Sequence, residues 1–257
     1  MPGSVSLPRI MGHRGAAASA PENTLAGMRR AAVCGAGWVE FDVKLSADRV
    51  PFLMHDDSLL RTTGLDAPAC ELSFAEIRSL DAGCWFAPAF SGERVPSLEE
   101  TLALLLELGI IPNIEIKPSP GEEIETVTRT IEVLARIWPA TRPAPLMSSF
   151  ARESLEALRD QAPALPRGYL VEELPDDWAV TAKELDCSTI HHYAKVVTAA
   201  QVAETRAAGY GLAVYTVNDP QQARELIAWG IDCLITDAPD IIASALANGS
   251  GPVAESL

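Results

Sequence analysis

The stretch Trp38-Val39-Glu40-Phe41-Asp42-Val43-Lys44, continued by Val50-Pro51-Phe52-Leu53-Met54-His55-Asp56, decides how the chain is read. Apolar and polar residues alternate in it with a period of two. Val39, Phe41 and Val43 therefore fall on one face, and Glu40, Asp42 and Lys44 on the other. Taken alone, the pattern fits a half-buried antiparallel strand with its charges in water. Two other stretches argue against a solvated face. A second apolar strand follows at once and ends in His55-Asp56. Far downstream, Ile111-Pro112-Asn113-Ile114-Glu115-Ile116-Lys117 repeats the alternation, with Asn113, Glu115 and Lys117 sharing a face. Carboxylates on one face of two apolar strands predict a shared cavity. Gathered there they repel one another unless a cation joins them, and a metal ion is the simplest such cation.

Upstream, Arg9-Ile10-Met11-Gly12 predicts a short strand closing in His13-Arg14-Gly15. Asn23, in Pro21-Glu22-Asn23-Thr24, is the expected N-cap of a helix whose apolar stripe is Leu25, Met28, Ala32 and Val33. Gly35 and Gly37 end it, so the opening reads strand, helix, strand: a parallel βαβ unit. Residues 57–95 break the alternation and predict a small subdomain inserted after the second strand. Within it Leu59 to Gly64 reads as loop and Ser73 to Leu80 as a short helix. Trp85, Phe86 and Phe90 there either line a substrate mouth or form the insert's own core.

Ser97 and Glu100 form a capping box that opens a helix from Leu98 to Leu108, stopped by Gly109. Five further strands and their helices follow the Glu115 strand. One of these helices is introduced by Asp219-Pro220, a cap followed by Pro at the first helical position. The count comes close to eight βα units, which predicts one α/β domain over residues 1–257, a (β/α)8 TIM barrel, with residues 248–257 as a disordered tail. A doubly wound open sheet is the runner-up. It loses ground because neither Gly-x-Gly-x-x-Gly nor a Walker-type loop appears.

Composition bounds the rest. A length of 257 residues with 48% hydrophobic content suffices for one large core. A formal charge of −15 argues against nucleic acid as a partner, because phosphate contacts need Lys and Arg. Five scattered cysteines without C-x-x-C spacing argue against a disulfide framework or a zinc site. The first nine residues show no secretory pattern, and the most apolar run, Leu102 to Ile111, is too short to span a bilayer. The expectation is a cytoplasmic protein without membrane insertion; monomer and homo-oligomer stand equally open.

In parallel α/β folds, ligands sit at the carboxyl ends of strands. His13 and Arg14 end the first strand, Glu40 and Asp42 belong to the second, His55 follows, and Glu115 and Lys117 come from the third. Three carboxylates suit a hard divalent ion, magnesium or calcium, better than zinc. Two histidines suit one general acid and one general base. Arg14 and Lys117 suit an anion such as phosphate. Together they describe phosphodiester cleavage, although enolisation sites draw on similar groups. In the second half, Ser149 and Phe150 are candidate pocket residues. His191 and His192 point to opposite faces of a strand, so at most one faces the site.

These residues also fall into a familiar pattern. Gly12-His13-Arg14-Gly15, Pro21-Glu22-Asn23-Thr24, Glu40-Phe41-Asp42-Val43, His55-Asp56, Asp81-Ala82-Gly83 through Glu93-Arg94-Val95-Pro96, Asn113 to Lys117 and Thr236-Asp237-Ala238-Pro239 span nearly the whole chain. The set resembles the glycerophosphodiester phosphodiesterases. The resemblance implies a barrel that holds one divalent cation (Mg2+ or Ca2+, with Mn2+ as a further candidate) on Glu40, Asp42 and Glu115. It implies His13 and His55 as the acid/base pair, and Arg14 and Lys117 on the phosphate. The implied substrates are glycerophosphodiesters such as glycerophosphocholine, cleaved to glycerol 3-phosphate and an alcohol. Tyr215 stands where family members often carry Trp, so the alcohol side of the pocket is expected to differ. Two rivals are a related barrel lyase that releases a cyclic phosphate from a membrane substrate, and a phosphate-binding barrel without catalysis.

Overall fold

The computed structural model describes residues 5–248. In chain order the strands are β1 (Ile10–His13), β2 (Trp38–Leu45), β3 (Pro51–Leu53), β4 (Ile111–Ile116), β5 (Leu146–Ser149), β6 (Arg167–Val171), β7 (Thr189–Tyr193), β8 (Gly211–Tyr215) and β9 (Cys233–Thr236). The helices are α1 (Leu25–Val33), α2 (Leu60–Thr63), α3 (Phe74–Ser79), α4 (Leu98–Leu108), α5 (Glu123–Ile137), α6 (Arg152–Gln161), α7 (Trp178–Glu184), α8 (Ala199–Ala207), α9 (Pro220–Trp229) and α10 (Pro239–Asn248). Among the described residues, eight strands run parallel in the order β1-β9-β8-β7-β6-β5-β4-β2, and β1 pairs with β2 to close the ring. The fold is a (β/α)8 TIM barrel with one extra strand. That strand, β3, folds back antiparallel on Val43 to Leu45.

Closure explains the β2 pattern. Its outward residues Val39, Phe41 and Val43 share the main buried cluster with Met28 and Ala31 of α1 and Leu98, Leu102 and Leu105 of α4. Its inward residues Glu40, Asp42 and Lys44 are buried as well. The strand therefore has no solvated face. Its main partners are parallel, and antiparallel pairing is confined to its last three residues. Register sets the layers: His13 lies level with Glu40, Glu40 with Asn113, and Asp42 with Glu115. In a parallel pair such residues point to the same side, so adjacent strands stack these side chains inside the barrel.

Local capping follows the sequence. Ser97 and Glu100 close a reciprocal box, Gly109 stops α4 in the left-handed region, and the Asp219 side chain accepts from Gln222 N. Two expectations need correction. Thr24, not Asn23, caps α1: its Oγ1 accepts from Gly27 N at 3.1 Å, while Asn23 takes a left-handed φ of 53°. Leu60–Thr63 is a short helix rather than loop, ended by Gly64 in the left-handed region.

The segment 57–95 packs on a cluster of its own, made of Phe52, Met54, Leu59, Ala69, Ile77, Ala82 and Val95. Trp85, Phe86 and Phe90 lie outside that cluster and meet edge to face on the surface. At the other end, Asn248 closes α10, and the rest of the expected tail lies outside the described residues. Among the described residues no helix is long and apolar enough to cross a membrane.

Candidate active site

The site opens at the carboxyl ends of the strands. A cavity of about 350 Å³ there is lined by His13, Arg14, His55, Glu115, Lys117, Phe150, Glu172, Tyr193, Tyr215 and Thr216.

The turn after β1 shapes one edge. A Cβ on Gly12 would lie 2.2 Å from Gly15 O, so the chain can double back there only without a side chain. Arg14 takes a left-handed φ of 49°, an unusual conformation for a residue with a Cβ. This turns its backbone N–H onto Glu40 Oε2 at 3.1 Å. Its guanidinium reaches Glu22 Oε1 at 2.8 Å and Asp42 Oδ2 at 3.2 Å. Burial alone would weaken its hold on the proton, but Asp42, Glu22 and Glu40 around it keep the guanidinium charged more firmly than usual.

Glu40, Asp42 and Glu115 each offer a carboxylate oxygen, and these oxygens lie within 4.8 Å of one another. All three residues are buried. Burial, with Asp42 and Glu115 beside it, drives Glu40 well above the usual carboxylate range. Burial and Asp42 push Glu115 up to about 7, against the pull of Lys117. Burial also opposes the charge on Asp42, but Arg14, Lys117, His55 and the Asn23 amide outweigh it and hold Asp42 at about 2. Asn23 holds Asp42 at two points: its Nδ2 donates to the carboxylate at Oδ2 at 2.9 Å, and the Asp42 backbone N–H donates to Asn23 Oδ1 at 3.3 Å.

The cluster fits a hard divalent cation. Three oxygen donors converge, and Glu40 Oε1 and both polar atoms of the Asn113 side chain are buried without a hydrogen-bond partner. Buried polar atoms left in that state are costly. A cation on the cluster would engage Glu40 Oε1 and relieve the repulsion that keeps Glu40 and Glu115 from ionising.

Each histidine is held through Nδ1 by an aspartate. His13 Nδ1 is 2.6 Å from Asp237 Oδ1, and His55 Nδ1 is 2.7 Å from Asp56 Oδ1. With Nδ1–H donating to a carboxylate, Nε2 is the nitrogen left for chemistry. His13 Nε2 stands 3.9 Å from Glu40 Oε2. Burial keeps His55 below its ordinary value, with Arg14 and Lys117 acting in the same direction, against Asp42 and Asp56. Asp237 in turn takes a bond from Asn218 Nδ2 at 2.5 Å, and Asn218 Oδ1 accepts from Asp237 N and Thr236 Oγ1.

Lys117 Nζ reaches Glu115 Oε1 at 3.1 Å and Asp42 Oδ1 at 3.7 Å, and lies 5.6 Å from the centre of the Phe150 ring. Tyr215 faces the cavity, with its hydroxyl donating to Val171 O at 2.8 Å.

Three expected pocket residues stand elsewhere. Ser149 Oγ donates to Ile116 O at 2.7 Å and accepts from Ala151 N, so it ties β5 to β4. It borders a side recess beyond Lys117 rather than the cavity. Trp85 and Phe86 are not among the cavity's lining residues: the Trp85 indole donates to Ala82 O, and Phe86 packs edge-on between Trp85 and Phe90. His191 and His192 are both buried. His191 Nε2 lies 3.0 Å from Thr189 Oγ1, and His192 Nε2 lies 3.4 Å from Thr205 of α8.

Sequence reading passed over the residues behind the front row, namely Asp237, Asp56, Glu22, Asn23 as an Asp42 partner, and Asn113. Asp56 carried a usable signal, an aspartate directly after a candidate histidine. Asp237 carried a similar one, an acidic residue at a strand's carboxyl end.

Known proteins are similar to this chain in sequence and fold. Residues 13–241 match a family model described as the glycerophosphoryl diester phosphodiesterase family. A glycerophosphodiester phosphodiesterase of Caldanaerobacter subterraneus is 29% identical over 247 residues, covering 93% of this chain and 98% of its own. A solved structure of an Oleispira antarctica phosphodiesterase in complex with the product sn-glycerol-3-phosphate superposes with a TM-score of 0.92 at 38% identity, covering 94% of this chain and 97% of that one. A glycerophosphodiester phosphodiesterase from Agrobacterium tumefaciens gives 0.77 at 28% identity, over 93% and 100% of the two chains. With nearly its whole length matched, the chain belongs to the glycerophosphoryl diester phosphodiesterase family.

Proposed function

We propose that the protein hydrolyses glycerophosphodiesters, deacylated phospholipids such as glycerophosphocholine, to glycerol 3-phosphate and an alcohol, and that it needs a divalent cation, magnesium or calcium, to do so. The observation that carries this reading is the convergence of Glu40, Asp42 and Glu115 within 4.8 Å, beside two histidines each held at Nδ1 by an aspartate. The Oleispira relative, 38% identical, is described with sn-glycerol-3-phosphate as its product, the product expected here.

When bound, a cation would supply Lewis-acid chemistry toward a phosphoryl oxygen, and Glu40, Asp42 and Glu115 would hold it. Arg14 and Lys117 line the cavity beside the carboxylates, where a phosphate meets two positive side chains. One imidazole takes the proton of the attacking hydroxyl, and the other gives a proton to the departing alkoxide. Each such role contributes about 10²–10⁴-fold. The glycerophosphodiester fits a site that recognises a small charged centre from one wall and leaves the alcohol against Phe150, Tyr193 and Tyr215 on the other.

The direct test is hydrolysis of glycerophosphocholine with magnesium, calcium or manganese, before and after EDTA. Release of glycerol 3-phosphate that EDTA stops and added metal restores is the expected result. Hydrolysis untouched by chelation would remove the cation from the reading. Rapid-quench samples in 18O water separate attack by water from attack by the neighbouring glycerol hydroxyl, which passes through a cyclic phosphate.

A further inference from the structure

Helix α2 of the inserted segment brings Arg61 between two acidic residues at the barrel mouth. The guanidinium makes four bonds. Nε donates to Asp56 Oδ2 at 2.7 Å and Nη2 to Asp56 Oδ1 at 3.1 Å; Nη1 donates to Glu22 Oε2 at 2.7 Å and Nη2 to Glu22 Oε1 at 2.8 Å. Each of these carboxylates also holds one group of the site. Asp56 Oδ1 lies 2.7 Å from His55 Nδ1, and Glu22 Oε1 accepts from Arg14 Nη1 at 2.8 Å. The result is an unbroken chain, His55–Asp56–Arg61–Glu22–Arg14. It links His55 to Arg14 through one side chain that is hydrogen-bonded to neither.

We propose that Arg61 is a positioning residue: through Asp56 and Glu22 it fixes the His55 imidazole and the Arg14 guanidinium relative to each other. The proposal rests on the reading of His55 as an acid/base group and Arg14 as a phosphate ligand. Two carboxylates hydrogen-bonded to one planar guanidinium cannot swing independently, so both groups keep one orientation. A lysine in the same place is a point charge and cannot grip two carboxylates bidentately. The fork is itself braced. Leu59 at the start of α2 is fully buried in the insert's core, Thr63 Oγ1 donates back to Leu59 O at 2.7 Å, and the Trp85 ring lies 6.0 Å from the Arg61 guanidinium carbon. The insert's surface aromatic thus supports the fork rather than the substrate.

A plain surface ion pair predicts something different. Arg61 is 43% exposed, and exposed pairs add little to stability. A positioning role predicts a small change in unfolding temperature with a large change in turnover.

The experiment compares the full-length wild type with Arg61→Lys and Arg61→Ala on glycerophosphocholine at saturating magnesium, and measures glycerol 3-phosphate affinity by calorimetry. Both variants are expected to keep wild-type thermal unfolding within a few degrees and to lose about 10–100-fold in kcat. KM rises and glycerol 3-phosphate binding weakens, because Arg14 loses its brace. Arg61→Lys in an Asp56→Asn background lowers kcat no further, and in a Glu22→Gln background weakens product binding no further. Millimolar guanidinium restores part of the Arg61→Ala loss. Wild-type kcat and affinity in both single variants overturn the proposal, as do losses that simply multiply in the double variants. If Arg61→Ala does not fold, the Arg61→Lys series decides alone. A wild type that hydrolyses no glycerophosphodiester with any of the three metals overturns the activity reading instead, and the affinity measurements then decide whether Arg61 braces Arg14.

Discussion

The two walls of the barrel mouth are made of different chemistry. The wall formed by β1, β2, β4 and the chain after β3 carries His13, Arg14, Glu40, Asp42, Glu115 and Lys117, joined by ion pairs of 3.9 Å or less and by hydrogen bonds, together with His55, which is held by Asp56. The wall formed by β5, β7 and β8 carries Phe150, Tyr193 and Tyr215. These rings pack at centroid distances of 5.8 and 5.6 Å, with Tyr215 in the middle. The charged wall is a network in which Arg14, Asp42, Glu115 and Lys117 shift one another's hold on their protons. The aromatic wall is a surface whose members hold shape. Charge that must be balanced in a buried place is costly to assemble, so it is spent where chemistry is done. The aromatic side needs only a fitted face.

The sharpest way to break the contrast is to cut the charged wall. His13→Ala and His55→Ala are each expected to lose about 10²–10⁴-fold in kcat while circular dichroism and unfolding temperature stay close to wild type. Full turnover in either variant would sink its role as acid or base.

Glu115→Gln tests the balance itself. Its turnover is expected to fall at least about 100-fold, since a cation ligand is lost. Without metal at pH 8, however, the variant is expected to be more stable than wild type by about 2 kcal/mol, because a buried charge that the fold disfavours is gone. Denaturant unfolding in EDTA measures the difference, and a less stable variant under those conditions would count against repulsion in the cluster.

The pH dependence of the metal-free protein follows the same signs. Glu115 binds its proton more tightly folded than unfolded, so its share of stability is present below its ordinary value and lost as pH rises through about 7. Asp42 works the other way: its share is present above the ordinary aspartate range and lost as pH falls toward about 2. The buried histidines His191 and His192, held below their ordinary values by burial, act in the opposite direction over pH 5 to 8, so the Glu115 share is read as a difference: in EDTA the unfolding temperature of the wild type is expected to drop relative to that of Glu115→Gln as pH rises from 5 to 8, and the gap is expected to shrink when calcium or magnesium is added. A gap that does not widen with pH in EDTA would contradict the assignment.

The aromatic wall should respond least. Tyr215→Phe keeps the ring and removes only the hydroxyl bond to Val171 O, which predicts a loss of about 1 kcal/mol in stability and a change of less than about threefold in kcat/KM. A hundredfold loss there would place Tyr215 among the chemical groups and erase the distinction between the walls.

The elements that sequence reading located correctly are those decided by neighbours along the chain. The Ser97–Glu100 box spans three residues, Asp219 caps Gln222 N three residues on, and Gly109 takes the left-handed turn that ends α4. Alternation in β2 and β4 marked the inward faces, and therefore the three carboxylates, before any coordinates. Misreadings came where two local options were nearly equal. Asn23 and Thr24 are both good caps, and only the nearness of Asp42 claims Asn23 for another task. Leu60–Thr63 has no cap that a sequence reveals, and its helix forms because Leu59 is pulled into the insert's core.

By itself, then, the sequence determined the succession of strands and helices, the acidic residues that face inward, and the two histidines at strand ends, because periodicity and capping act over a few residues. The tertiary structure alone decided which side chains meet. His13 finds Asp237 across 224 residues, Arg61 finds Glu22 across 39, and Asn23 finds Asp42 across 19. These pairings exist only once β1 has closed onto both β2 and β9, because closure brings chain-distant residues to one rim, where they become one another's partners.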